Sequence, residues 1–132
     1  MTSDTAPSLG AVAPSPVPQF LAVSSNDRLW GVLCHLSFFF GLAVISFLFP
    51  MVVYLVMRND SPYVTHHARE ALNFHLSLLL YVICCVPLCF IGIGFVLLGA
   101  IALTGLVCSI MAAVKASEGL AYQYPITIRF VS

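Results

Sequence analysis

The chain has 132 residues, 61% of them hydrophobic and 8% charged, with a mean hydropathy of +1.03 and no net formal charge. Globular domains are about 25% charged, and this much apolar surface would aggregate in water, so composition excludes an ordinary soluble domain. Without a basic stripe there is no case for a nucleic-acid partner.

Residues 1–26 are rich in Ala, Pro, Ser and Thr, with Pro7, Pro14, Pro16 and Pro18. Low hydrophobicity without periodicity predicts a disordered tail. No Lys or Arg precedes Arg28, so the tail lacks the basic start of a secretory signal. Residues 27–132 are expected to form a single helical transmembrane domain.

All ten charged residues fall outside two runs, Leu29 to Met57 and Ala71 to Val114. A charge at the bilayer centre costs roughly 2.5–3.5 kcal/mol on insertion scales, so such runs predict membrane spans. As one helix the first run would be about 43 Å long, against a hydrocarbon core of about 30 Å. Gly41 and Pro50 offer two solutions: one kinked span, or a pair of short half-helices turning near Gly41. The length argument favours the kinked span. The second run is long enough for two spans, and Pro87, Gly92 and Gly94 punctuate its middle. It predicts a hairpin of helices near Thr65–Val86 and Phe95–Ala116. The expected fold is therefore an all-α integral membrane bundle of three spans, or of four if the first run is re-entrant or paired.

The hairpin puts the loop 58–70 and the C-terminal tail on one side. They carry Arg58, Arg69, Lys115 and Arg129, which the positive-inside rule assigns to the cytoplasm. The expected location is a bacterial inner membrane. The N-terminal tail lies outside if the first run spans once and inside if it folds back. Beyond Pro125 the C-terminus should run extended along the membrane surface, with Arg129 near Asp60 or Glu70.

The polar residues that intrude on the runs are the candidate site. His66, Glu70, Asn73 and Ser77 share one helix face, with His67 at its border. Polar groups at membrane depth must face protein or water, so this face should meet another helix. His35 in the first run is the expected partner, near Asn73 or Glu70. The candidate intramembrane polar network is His35, His67, Glu70 and Asn73. A second candidate surface is the small-residue stripe Gly99, Gly105, Ser109 and Ala113, with Ala102, Ala112 and Ala116 beside it. Small residues at this spacing let membrane helices approach, either within the fold or between copies. Gly31, Cys34, Ser37 and Gly41 make a similar stripe on the first run.

Histidines 66, 67 and 75 with Glu70 do not match the helical zinc motif, which places two histidines at i, i+4 around a glutamate. The cysteines Cys34, Cys84, Cys85, Cys89 and Cys108 lie in the apolar runs and read as small buried residues. No nucleophile has an orienting base. No metal, cofactor or enzyme activity is expected.

Several motifs together resemble a family of small bacterial multi-pass membrane proteins of unknown function, related to the membrane subunit of the chloroplast inner-envelope protein import (Tic) machinery. They are His35-Leu36-Ser37, Pro50 leading into Tyr54-Leu55-Val56, Asp60-Ser61-Pro62-Tyr63-Val64, His67 through Phe74, and Tyr124 through Arg129. The chain departs from that pattern at Thr65, His66 and His75. The resemblance implies a compact helical membrane domain without enzyme activity. Together these readings predict a non-enzymatic membrane protein acting by helix–helix association. Its partners would be the lipid bilayer and either a second copy or a membrane-complex subunit. The alternative is a transport or protein-conducting component, with a polar path lined by His35, Glu70 and Asn73.

Overall fold

The second apolar run folds as a helical hairpin. In the computed structural model, described for residues 20, 22–40 and 43–132 (side chains of 43 and 44 excepted), its helices are α3 (Pro62–Cys89) and α4 (Ile93–Ser117). The first run forms α1 (Ser25–Leu36), a 3-10 segment (Ser37–Phe40) and α2 (Ala43–Met57). No strand occurs among the described residues. The tail up to residue 19, residue 21 and the turn at Gly41 lie outside them. Within the expected tail, Phe20 packs edge-on against Tyr63 with ring centroids 5.2 Å apart, and α1 begins at Ser25.

Local chemistry sets the helix ends. The Ser24 hydroxyl accepts from the Asp27 N–H, and the Ser61 hydroxyl from the Val64 N–H; each satisfies an otherwise free N-terminal donor. Pro62 follows Ser61 at the first helical position, where its missing N–H costs nothing. Thr65 locks the α2–α3 connection by donating to the carbonyls of Met57 and Ser61. Gly92, at φ 85°, makes the left-handed turn between α3 and α4 that side chains resist. Both helices run closer to that turn than the sequence predicts: Pro87 is accommodated inside α3, and α4 starts directly after Gly92.

The first run is not one kinked span. Ser37 near the end of α1 bonds to Ser46 near the start of α2, while Trp30 shares a cavity with Phe49, Val53 and Met57. The two helices are therefore antiparallel, as in the half-helix alternative. Pro50 explains the difference. It sits buried inside α2, and it has no N–H to give to the Ser46 carbonyl one turn earlier. The single Ser37 hydroxyl proton is shared between that carbonyl, 3.0 Å from Oγ, and Cys34 O, at 2.7 Å. A contact across the hairpin thus satisfies the carbonyl the proline leaves open, and the helix continues through it.

The four helices are unequal. At one end, here called the near end, Tyr63 of α3 donates to the Ala116 carbonyl of α4 at 2.6 Å. Gly31 of α1 packs there too: a Cβ on it would sit 3.3 Å from Ala116 Cβ and 3.5 Å from the His67 ring. At about 18 and 22 Å, α1 and α2 are much shorter than α3 and α4, at about 42 and 37 Å. Among the described residues, the tip of their hairpin carries Phe38, which packs beside Gly105 and Leu78. Beyond that level α3 and α4 continue to the far turn at Phe90–Gly92, accompanied at first by the bend of the C-terminal segment, where the Tyr81 hydroxyl donates to the Ile126 carbonyl at 3.3 Å and Ile126 shares a cavity with Leu97. They are the two helices long and apolar enough to cross a membrane.

Candidate functional site

The first half of α3 is enclosed by its neighbours. From Tyr63 to Ser77 every residue is buried except Thr65, Arg69 and Leu76, which are half-buried. Helices α1, α2 and α4 contribute to this enclosure, and the non-helical C-terminal segment 118–132 lies along α3 as a strap. The polar stripe read from the sequence is the surface under that strap.

A relay of hydrogen bonds runs through the buried rings, and the acceptor at its end fixes its direction. The Leu120 carbonyl can only accept, so His67 Nε2–H donates to it at 3.2 Å. In the neutral ring His67 Nδ1 must then accept, from His35 Nε2–H at 2.8 Å. His35 Nδ1 in turn accepts from the Tyr124 hydroxyl at 2.9 Å. Tyr124 is the donor in this last bond, because a neutral His35 ring that gives away its Nε2–H has only Nδ1 left to accept. Tyr124 is itself stacked on Phe74 with centroids 3.9 Å apart. His66 Nε2–H donates separately to the Tyr122 carbonyl at 3.2 Å.

The strap is pinned further along α3. Glu70 Oε2 accepts from the Tyr124 N–H at 3.4 Å, and Glu70 Oε1 lies 3.9 Å from Arg129 Nη2. Asn73 Oδ1 accepts from the N–H groups of Phe130 and Val131 at 3.0 and 2.8 Å, while its Nδ2 donates to the Val131 carbonyl at 2.9 Å. Ser77 Oγ accepts from the Ile128 N–H at 2.9 Å and donates to the Asn73 carbonyl at 2.8 Å. Side-chain amides and hydroxyls do for the strap what a neighbouring strand would do for an edge. Non-helical backbone is tolerated at membrane depth only when it is served in this way.

His35, His67, Glu70 and Asn73 are thus gathered around one strap, although not in the pairs expected. His35 meets His67 and Tyr124, not Asn73 or Glu70. Asn73 and Glu70 face the C-terminus rather than a helix, because the strap fills the space where a helix was expected. Arg129 does lie near Glu70. Sequence reading missed Tyr124 and Ser37 as members of the buried polar set; the available signals were a tyrosine next to a proline and a serine one turn beyond Cys34. His75 stands apart, stacked on Phe38 at 6.0 Å, with no hydrogen bond to its ring nitrogens among the described residues.

The small-residue stripe divides. Gly105, Ser109 and Ala113 are buried within the fold. A Cβ on Gly105 would meet Phe38 at 2.8 Å, so this glycine admits the tip of the α1–α2 hairpin. Gly99 faces open space. Close internal approach accounts for the buried part, and Gly99 belongs to the exposed far half.

A family model described as the magnetosome magnetite crystal formation protein family matches residues 26–131. The chain belongs to that family. The matched segment includes all four helices but for Ser25, together with nearly all of the strap, so the buried polar core lies inside it. The match supports a family of small membrane proteins and gives no support to a relation with the chloroplast import subunit. No curated protein and no solved structure is significantly similar to the chain.

Proposed function

We propose that this chain is a non-enzymatic multi-pass protein of the magnetosome membrane. It contributes to crystal formation by associating with other membrane helices, either as a homo-oligomer or as a subunit of a membrane complex. The observation that carries this reading is the division of surface and interior. The outward faces of α2 and α4 are apolar, with Leu48, Val52, Leu55, Val56, Leu103, Leu106, Val107, Ile110, Met111 and Val114 exposed. The polar side chains of the candidate network are bonded inside the fold, leaving none of them directed at a substrate. A helix buried in a soluble core would hide its most apolar stretch; only 17% of that stretch is buried in α4 and 33% in α3.

All five basic residues, Arg28 included, belong to segments at the near end, and the far turn Phe90-Ile91-Gly92 has no charge. The positive-inside rule makes the near end cytoplasmic. The far turn then offers no carboxylate to a mineral on the opposite side, which favours an indirect role through the membrane and its proteins.

The test is extraction and capture. The protein should resist carbonate extraction from membranes, and in mild detergent should run larger than a monomer or retain a crosslinkable membrane partner. Release by carbonate, or a clean monomer without partners, would contradict the reading. A conducting component, with His35, Glu70 and Asn73 along a polar path, keeps one observation in its favour: the relay through His35 and His67. Proton flux in liposomes that vanishes in Glu70→Gln would support it.

A further inference from the structure

We infer that the protein is tapered across the bilayer and therefore sorts to curved membrane, with its near end in the convex leaflet. This rests on the membrane reading above and adds to it a preferred shape of lipid surface.

The taper follows from the unequal helices. From Ile93 to Val114, α4 carries no charge over a rise of about 33 Å, matching a hydrocarbon core of about 30 Å. Lys115 and Glu118 follow at once and form an exposed ion pair at 3.1 Å, which sets one edge of the apolar band. The uncharged turn Phe90–Gly92 sets the other, with Phe90 91% and Ile91 78% exposed. Within this band the near leaflet holds four helices and most of the strap. Near its tip, Phe38 of the α1–α2 hairpin packs beside Gly105 and Leu78, part-way through the bilayer, and the following Phe39 and Phe40 are exposed. With no charge between Leu29 and Met57, this hairpin is apolar enough to stay in lipid; at 12 and 15 residues, α1 and α2 are too short to cross it.

Among the described residues, the far leaflet receives the ends of α3 and α4 and the bend of the strap at Ile126, which lies against Tyr81 and Leu97, but neither α1 nor α2. Between Leu80 and Gly99 the buried positions are Cys85 and Gly94, on the seam between those two helices. That seam is tight: a Cβ on Gly94 would lie 2.4 Å from Cys89 N. The far pair therefore cannot spread to match the near end. A helix with its side chains is about 10–12 Å across, so two additional helices occupy roughly 160–220 Å² more in the near leaflet than in the far one. A bilayer accommodates such an insertion at least cost where the near leaflet is expanded, which means convex. With the near end cytoplasmic, that is the outer face of a vesicle lying in the cytoplasm. Copies touching through their wide near halves keep the taper.

Full-length protein with a C-terminal tag can be reconstituted into giant phosphatidylcholine vesicles from which narrow membrane tubes are pulled. An impermeant dye on the tag marks only molecules whose near end faces outward; a second dye, added after permeabilisation of a parallel sample, marks the rest. The outward population should be enriched on tubes by about twofold or more relative to the flat membrane, and the inward population depleted. Equal partition of both populations, or enrichment of the inward one, would overturn the taper. If a second copy instead filled the space beside the far half, the exposed Cys84 would crosslink between copies and tube enrichment would vanish, which also overturns it. Carbonate extraction of the same vesicles separates these outcomes from failure of the membrane reading, in which the protein would leave the bilayer altogether.

Discussion

The two halves of α3 show how one helix can serve two environments. Its first half is enclosed and hydrogen-bonded, with His66, His67, Glu70, Asn73, His75 and Ser77 all buried among α1, α2, α4 and the strap. Its second half leaves the strap after Tyr81, whose hydroxyl donates to the Ile126 carbonyl, and Leu80, Val82, Ile83 and Val86 face outward. Water rewards burial of apolar groups and tolerates exposed polar ones; lipid reverses the second preference. Most of the polar residues are therefore inside, and the exposed surface of the band is largely apolar, with Arg129 exposed beside Glu70 as an exception. Stability should reside in the near half, through specific bonds and close contacts. The far half should tolerate changes that fill no existing contact.

The largest test of that contrast is Asn73→Leu. It removes three bonds to the strap and strands the N–H groups of Phe130 and Val131, at an expected cost of about 2–4 kcal/mol. Thermal unfolding in detergent should show the loss, and limited proteolysis should begin to clip residues beyond 125. Gly105→Leu comes next. Its side chain collides with Phe38 and should cost about 1–3 kcal/mol by overpacking, read from the same melt. Ser37→Ala removes the hydroxyl that serves the Cys34 and Ser46 carbonyls across the α1–α2 turn, and should cost about 1 kcal/mol. Gly99→Leu is the contrasting far-half change: a Cβ there meets nothing, and stability should move by less than about 0.5 kcal/mol. A large loss in Gly99→Leu, or none in Asn73→Leu, would break the comparison.

How legible these halves were in the sequence differs for physical reasons. The far hairpin was readable because a long charge-free run with a glycine at its middle has few other solutions; Gly92 does make the turn. The near half was harder because its partners are distant in sequence. Pro50 signalled a break by the local rule, yet the donor that lets α2 continue is Ser37, which periodicity does not reveal. The stripe Glu70, Asn73 and Ser77 was visible on one face, but its partner lies 51 to 58 residues downstream in an irregular segment. Only the Arg129–Glu70 approach could be anticipated, from opposite charges. Gly105 and Gly99 looked equivalent in the small-residue stripe, and only packing of Phe38 separates them.

Because α1 and α2 form a hairpin returning to the near end, the start of α1, the α2–α3 connection and the C-terminal segment should share one side of the membrane. Reporter fusions at the N- and C-termini of the full chain, scored in cells for cytoplasmic fluorescence and periplasmic phosphatase activity, test it directly. Fluorescence from both ends and phosphatase activity from neither is the expected result. Reporters on opposite sides would show that the first run crosses the bilayer once and would contradict the account.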